Sequence, residues 1–317
     1  MSSTTLTSIT HPRSADDAAR LVAIGPSVRG AVDTGRVLLS LEAERRRAPA
    51  FATTPFAVGS LAGDWVAAPG TAADGTILYL HSRRFQFDEP PEVLAGALSA
   101  ATGWSVLLLH YRVGPAHPYP AALDDTLMAY GALLEQGIPA DRMVVVGHSA
   151  GATLALQAVL RLCRDRAPLP AAVATVSPIT DFTFSGATYV SNVHRDLVSE
   201  AEIRESREVF LGGLDPSGEV SPLTGVGPGL PPLMMACGSD ELLLDDTVRF
   251  AEAAVAAGND VTLEIFEGMP HGWPVLDLDG ADLLLARLAT FTTRHLAGPA
   301  VGADCSPSRL GRLRDHR

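Results

Sequence analysis

Met143-Val144-Val145-Val146-Gly147-His148-Ser149-Ala150-Gly151 decides how this chain is read. Met143 to Val146 are apolar and mostly β-branched, the composition of a buried strand. Ala152-Thr153-Leu154-Ala155-Leu156-Gln157-Ala158-Val159-Leu160 follows and reads as a helix. Between them stands Gly147-x-Ser149-x-Gly151. Strand, G-x-S-x-G and helix in that order make a nucleophile elbow, a turn so tight that the serine is strained and its hydroxyl projects from the sheet. Glycine is expected at 147 and 151 because a Cβ at either position would crowd the neighbouring strand or helix.

A serine hydroxyl is a weak nucleophile until a base takes its proton. The base is expected to be a histidine steadied by a carboxylate, in the chain order Ser, acid, His. The strand Leu233 to Cys237 ends in Gly238-Ser239-Asp240-Glu241, and the strand Val261 to Phe266 is followed by Glu267-Gly268-Met269-Pro270-His271. Both sites lie where strands end, which is where ligands meet an open α/β sheet. Asp240 is therefore read as the acid, ahead of Asp245 and Asp246, which fall a turn into the next helix. His271 is read as the base, because none of His194, His295 and His316 follows a strand.

Strands alternate with helices along most of the 317 residues, which gives an α/β class with a mostly parallel sheet covered on both faces. Residues 1–15 are Ser/Thr-rich and read as disordered. Helical periodicity over 16–50 reads as N-terminal cap helices. The core spans 51–297, with a lid insertion at about 182–230, and the tail 298–317 reads as disordered. The net charge of -12 argues against nucleic acid and anionic membranes as partners. There is no lysine, which excludes Schiff-base chemistry on a lysine side chain. Cys163, Cys237 and Cys305 fit neither a zinc spacing nor a disulfide framework, so no metal and no cofactor is expected. The N-terminal residues lack the pattern of a signal peptide, and a cytoplasmic location is the default expectation.

Tyr111-Arg112-Val113-Gly114-Pro115-Ala116-His117-Pro118-Tyr119-Pro120-Ala121-Ala122-Leu123-Asp124-Asp125 resembles the YRLAPEHPFPAALED signature of hormone-sensitive-lipase-type esterases. Ser221-Pro222-Leu223, Pro231-Pro232-Leu233, the run from Gly238 to Asp246 and Gly268-Met269-Pro270-His271 also match that family, in order. The resemblance covers roughly Gly59 to Leu296. It implies the α/β-hydrolase fold with a helical cap, and triad roles for Ser149, Asp240 and His271. It also implies an oxyanion hole built from the Ala150 N–H and from the loop after an early strand. There the family carries His-Gly-Gly-Gly-Phe, and this chain reads His81-Ser82-Arg83-Arg84-Phe85. Glycine lets backbone approach an acyl group closely and adopt dihedrals that arginine resists.

Three consequences are open for that loop. The Arg83 and Arg84 N–H groups serve the oxyanion while their side chains turn away, or a guanidinium group enters the pocket and pairs with a carboxylate, phosphate or enolate on the substrate, or the hole is broken and Ser149 and His271 perform another task such as proton transfer. Arg83, Arg84, Phe85, His148, Tyr189 and Trp273 are the residues expected to line the substrate site. The leading expectation is a serine hydrolase acting on a small or medium ester, lactone or acyl amide. The alternative is a non-hydrolytic tailoring enzyme of specialised metabolism, catalysing cyclisation, elimination or acyl transfer with Arg83 and Arg84 as anchors. A third is a small-molecule-binding protein on a retired hydrolase fold. The expected partner is a small molecule, and a homodimer is compatible with this fold.

Overall fold

Apolar runs without polar alternation suit strands that are covered on both faces. In the computed structural model, which describes residues 6–29, 49–82, 85 and 92–296, those runs are β4 (Ala72–Leu80), β6 (Met143–His148), β7 (Ala172–Val176) and β8 (Leu233–Gly238). Every residue of β6, β7 and β8 is buried. Among the described residues they sit in a nine-stranded sheet ordered β1-β9-β8-β7-β6-β4-β5-β3-β2. The other strands are β1 (Leu6–His11), β2 (Ala52–Val58), β3 (Leu61–Ala67), β5 (Trp104–His110) and β9 (Val261–Phe266). Pairing is parallel from β1 across to β5 and antiparallel from β5 to β3 and β3 to β2. The expected mostly parallel sheet is present.

Helices cover both faces. Val28 of α1 (Ala15–Arg29), Leu98 of α2 (Glu92–Thr102) and Leu284 and Leu288 of α8 (Asp279–Leu296) pack in one apolar cluster. Leu133 of α3 (Ala121–Glu135), Leu154 of α4 (Ala150–Asp165) and Phe250 of α7 (Leu244–Ala256) pack in the other. The insertion between β7 and β8 carries the short α5 (Thr188–Ser191) and α6 (Glu200–Leu211). A capping box between Ser199 and Glu202 starts α6, and Gly212 ends it at φ 59.

The chain runs from β4 out to β5, then returns to β6 on the other side of β4. Strand order reverses at this point, and in open α/β sheets the ligand crevice lies outside the carboxyl ends of the strands at such a reversal, here β4 and β6. The backbone leaving β4 and the elbow leaving β6 meet there at close range. A Cβ on Gly151 would sit 2.0 Å from the Leu80 carbonyl oxygen and 2.5 Å from that of His81. A Cβ on Gly147 would sit 2.4 Å from the Gly151 oxygen. Both glycines are therefore required by approach distance, as the sequence suggests.

Two expectations change. Residues 6–11, read as part of a disordered N-terminus, form the edge strand β1, paired with β9 from Leu6↔Val261 to His11↔Phe266. Threonine and isoleucine suit a pleated edge, and His11 supports the register by bonding the buried Glu264 at 2.9 Å and packing its ring, tilted, against Phe266. The run from Gly59 to Ala68 reads in sequence as a single strand, but the structure has a hairpin there, β2 and β3, turned at Gly59 with φ 60. Of the expected cap helices, α1 is present and is tied to α8, since Asp17 accepts the Asp279 and Gly280 amides. The rest of that cap (30–48) and the expected disordered tail (298–317) lie outside the described residues. Among the described residues, no helix is long and apolar enough to cross a membrane.

Gly151→Ala is expected to destabilise the protein by about 1–3 kcal/mol, because backbone on both sides must shift. A lowered urea midpoint at unchanged m-value checks this; an unchanged midpoint would show that α4 can retreat from β4.

Candidate active site

The elbow holds Ser149 at φ 53 and ψ -116. A side chain in that region costs roughly 1–3 kcal/mol and persists only when its surroundings fix it. Here the Ser149 amide donates to the Val176 carbonyl at 2.7 Å, and its own carbonyl accepts from Thr153 N at 3.1 Å. The hydroxyl oxygen lies 2.9 Å from His271 Nε2. His271 stands in the turn after β9, and its Nδ1 lies 2.9 Å from Glu241 Oε2. Ser149, His271 and Glu241 thus form one hydrogen-bonded series, and all three are buried.

The acid beside His271 is Glu241, which corrects the assignment of Asp240. Asp240 points toward Arg195, 3.7 Å away at the surface. The two acids are consecutive in the turn after β8, so their side chains diverge. Inside, three donors wait for a carboxylate. Ser177 Oγ at 2.8 Å, Gly238 N at 2.7 Å and Trp273 Nε1 at 3.2 Å all donate to Glu241 Oε1. Trp273, expected to line the substrate site, is fully buried and holds the acid from within the core. The acid's turn is visible in the sequence, whereas Ser177 gives no signal there, because its role depends on β7 lying beside β8.

Burial works against a charged imidazole, but the hydrogen bond and charge of Glu241 outweigh it, with smaller help from Asp196 and Glu202. The pKa of His271 is raised as a result. Asp196, in the insertion, is a further buried carboxylate that the sequence reading does not single out. It accepts the His271 backbone amide at 2.6 Å and the Leu242 amide at 2.7 Å.

The residues expected to bind substrate are placed differently from one another. His148 lines a narrow apolar cavity with Tyr79, Val146, Leu284 and Leu288. Neither of its ring nitrogens has a hydrogen-bond partner, and its ring centroid is 6.3 Å from that of His271. Burial, then the neighbouring His271, pushes its pKa down to about 3, so it stays neutral. Tyr189 is buried against Phe184, with ring centroids 4.7 Å apart. Phe85 is buried at φ 58 and stacks on Phe210 at 4.0 Å. These contacts are core packing.

Arg83 and Arg84 lie outside the described residues, but the two ends of their loop are anchored. Tyr111 Oη donates to the His81 carbonyl at 2.7 Å, and its ring stacks on His81 at 4.4 Å. Gly114 N donates to the Phe85 carbonyl at 2.8 Å. Asp125 in turn holds Arg112 through its backbone amide and its guanidinium, at 2.8 Å each. The sequence stretch from Tyr111 to Asp125 is therefore a brace for the loop after β4. Ala150 opens α4, where helix amides have no acceptor within the helix.

Comparison with known proteins agrees with this geometry. A family model described as alpha/beta hydrolase fold matches residues 77–275. An acetyl-hydrolase of Streptomyces hygroscopicus is 40% identical over 220 residues, covering 68% of this chain and 73% of that protein. An esterase of Acinetobacter venetianus is 30% identical over 252 residues, covering 77% and 83%. Among solved structures, an esterase from the bacterial hormone-sensitive lipase family superposes with TM-score 0.84 at 29% identity, covering 89% of this chain and 99% of that one.

Glu241→Gln is expected to lower kcat by about 100–10,000-fold, because the amide no longer steadies the imidazolium or fixes its tautomer. Asp240→Asn is expected to stay within about threefold of wild type, as for a surface ion pair. Steady-state kinetics of the two variants separates the acids; the reverse ranking would restore Asp240.

Proposed function

This chain belongs to the α/β-hydrolase family, in its hormone-sensitive-lipase-like branch, and we propose that it hydrolyses small carboxylic esters with short acyl groups, acetyl foremost. The observation that carries the reading is the series Ser149 Oγ, His271, Glu241, with 2.9 Å at each step. Ser149 attacks the ester carbonyl while His271 Nε2 takes its proton. The imidazolium then protonates the leaving alcohol, an acyl-enzyme remains, and water activated by the same imidazole releases the acid. Glu241 keeps the proton on Nδ1, so that Nε2 is free to accept. The developing oxyanion is assigned to the Ala150 N–H, joined by amides of the loop at Arg83 and Arg84. The preference for acetyl is supported by the name of the Streptomyces relative. The small substrate size is supported further by EstE5, whose crystal was soaked with p-nitrophenyl butyrate and which superposes with TM-score 0.80 at 29% identity, covering 87% of this chain and 98% of that one.

One feature favours a second reading. Ser82-Arg83-Arg84 stands where the family has three glycines, and a guanidinium in the pocket would suit an anionic intermediate in a cyclisation, elimination or acyl transfer.

Hydrolysis of p-nitrophenyl esters from acetate to octanoate is expected to show the highest kcat/KM at acetate or butyrate. A fluorophosphonate should label the wild type and leave Ser149→Ala unlabelled. His271 must be neutral to act as base and its pKa is raised, so kcat/KM should fall on the acid side at a pH above the usual histidine value of about 6.5. Labelling without ester turnover, together with a gain of turnover on placing glycine at 82 to 84, would move the assignment to the second reading.

A further inference from the structure

We propose that Asp196 is a positioning residue of the triad: its carboxylate ties the loop of Glu241 to the loop of His271, and its charge supports the imidazolium that forms during turnover. The proposal rests on the ester-hydrolase reading above and adds a second acid to it.

Asp196 follows α5 in the insertion between β7 and β8. Its Oδ1 accepts the backbone amides of His271 at 2.6 Å and Leu197 at 2.7 Å, and its Oδ2 accepts the amide of Leu242 at 2.7 Å. Leu242 adjoins Glu241 in the chain, so one carboxylate spans both triad loops. The same segment holds the acid turn again: Asn192 Nδ2 donates to the carbonyls of Ser239 at 3.0 Å and Glu241 at 2.9 Å, and Thr188 Oγ1 donates to Leu242 at 2.8 Å.

Bridging amides needs only neutral acceptors, whereas a buried carboxylate carries a heavy desolvation penalty. Asp196 is 4% exposed. Burial first, with repulsion from Glu241, pushes its pKa up to about 6, while the charge on His271 pulls the other way. The titratable groups around it are Glu241, His271 and the buried thiol of Cys237, while His148 and Glu202 act on the same imidazole. In the resting enzyme, with the His271 ring neutral, Asp196 and Glu241 repel each other. Once His271 takes the serine proton, both carboxylates face a cation. An interaction that is unfavourable in the ground state and favourable in the transition state raises kcat rather than tightening substrate binding.

The test is Asp196→Asn, in which one acceptor becomes an N–H donor facing a backbone amide. Asp196→Ser with added formate is the second variant, so loss of fold in one leaves the other to decide. Circular dichroism reports folding. We expect kcat to fall roughly 10–100-fold, the range for a hydrogen bond to a charged group, with KM within about threefold and partial rescue of the serine variant by formate. Loss of a nearby negative charge disfavours the imidazolium, so the acid limb of kcat/KM should move to lower pH. An NMR titration of 15N-labelled histidine, with His271 assigned by His271→Gln, should show the same downward shift. Unchanged kcat in a folded variant would overturn the proposal, as would a lower kcat with the His271 titration unmoved, the outcome for a brace that acts by structure alone. Should the wild type hydrolyse no ester, the histidine titration still decides for Asp196, and only the ester-hydrolase reading fails.

Discussion

A carboxylate with no access to water organises this molecule. Glu241 is fully buried, and an ionised group in that position is tolerable only when its lone pairs are occupied. Its donors come from the ends of three neighbouring strands: Ser177 after β7, Gly238 at the end of β8, and Trp273 with His271 after β9. The parallel order β9-β8-β7-β6 brings those ends to one rim, so satisfying the charge and assembling the triad are the same event. Ser149 completes the series from β6, held in a strained backbone that the adjoining Val176 carbonyl and the start of α4 keep in place.

The elbow was legible because its demands are local. A buried strand, two glycines forced by approach distances of 2.0–2.4 Å and a helix follow one another within a short span. Strand-end logic was enough for His271 as well. The acid turn is legible too, but not which of its acids turns inward, because Asp240 and Glu241 are adjacent and only the donors after β7 and β9 decide between them. The place of Trp273 is hidden from the sequence for a related reason. An aromatic beside a catalytic histidine suggests a pocket wall, but the indole N–H needs a buried acceptor and finds one in Glu241. Asp196 gave no sequence signal at all, since an acid in a polar insertion looks like a solvated one until the fold covers it.

β1 shows the same limit at the sheet's edge. Leu6 to His11 is short and threonine-rich, and nothing local marks it as ordered. What orders it lies more than 250 residues away: Glu264 of β9, which is also gripped by Arg287 of α8 at 2.7 Å. The sequence therefore displayed the central strands, which are apolar on both faces, and hid the elements whose order depends on a distant buried charge.

The insertion between β7 and β8 has a further consequence for how such a protein can diverge. A loop that merely overhung the crevice could be exchanged wholesale, as surface connections usually can. This one is tethered at Thr188, Asn192 and Asp196 to the turns that carry Glu241 and His271. Variation in residues 188–198 would disturb the catalytic frame, whereas variation from α6 onward leaves those tethers in place. New substrate preferences have room to arise in the later half of the insertion, while the earlier half behaves as part of the catalytic core despite its position in the chain.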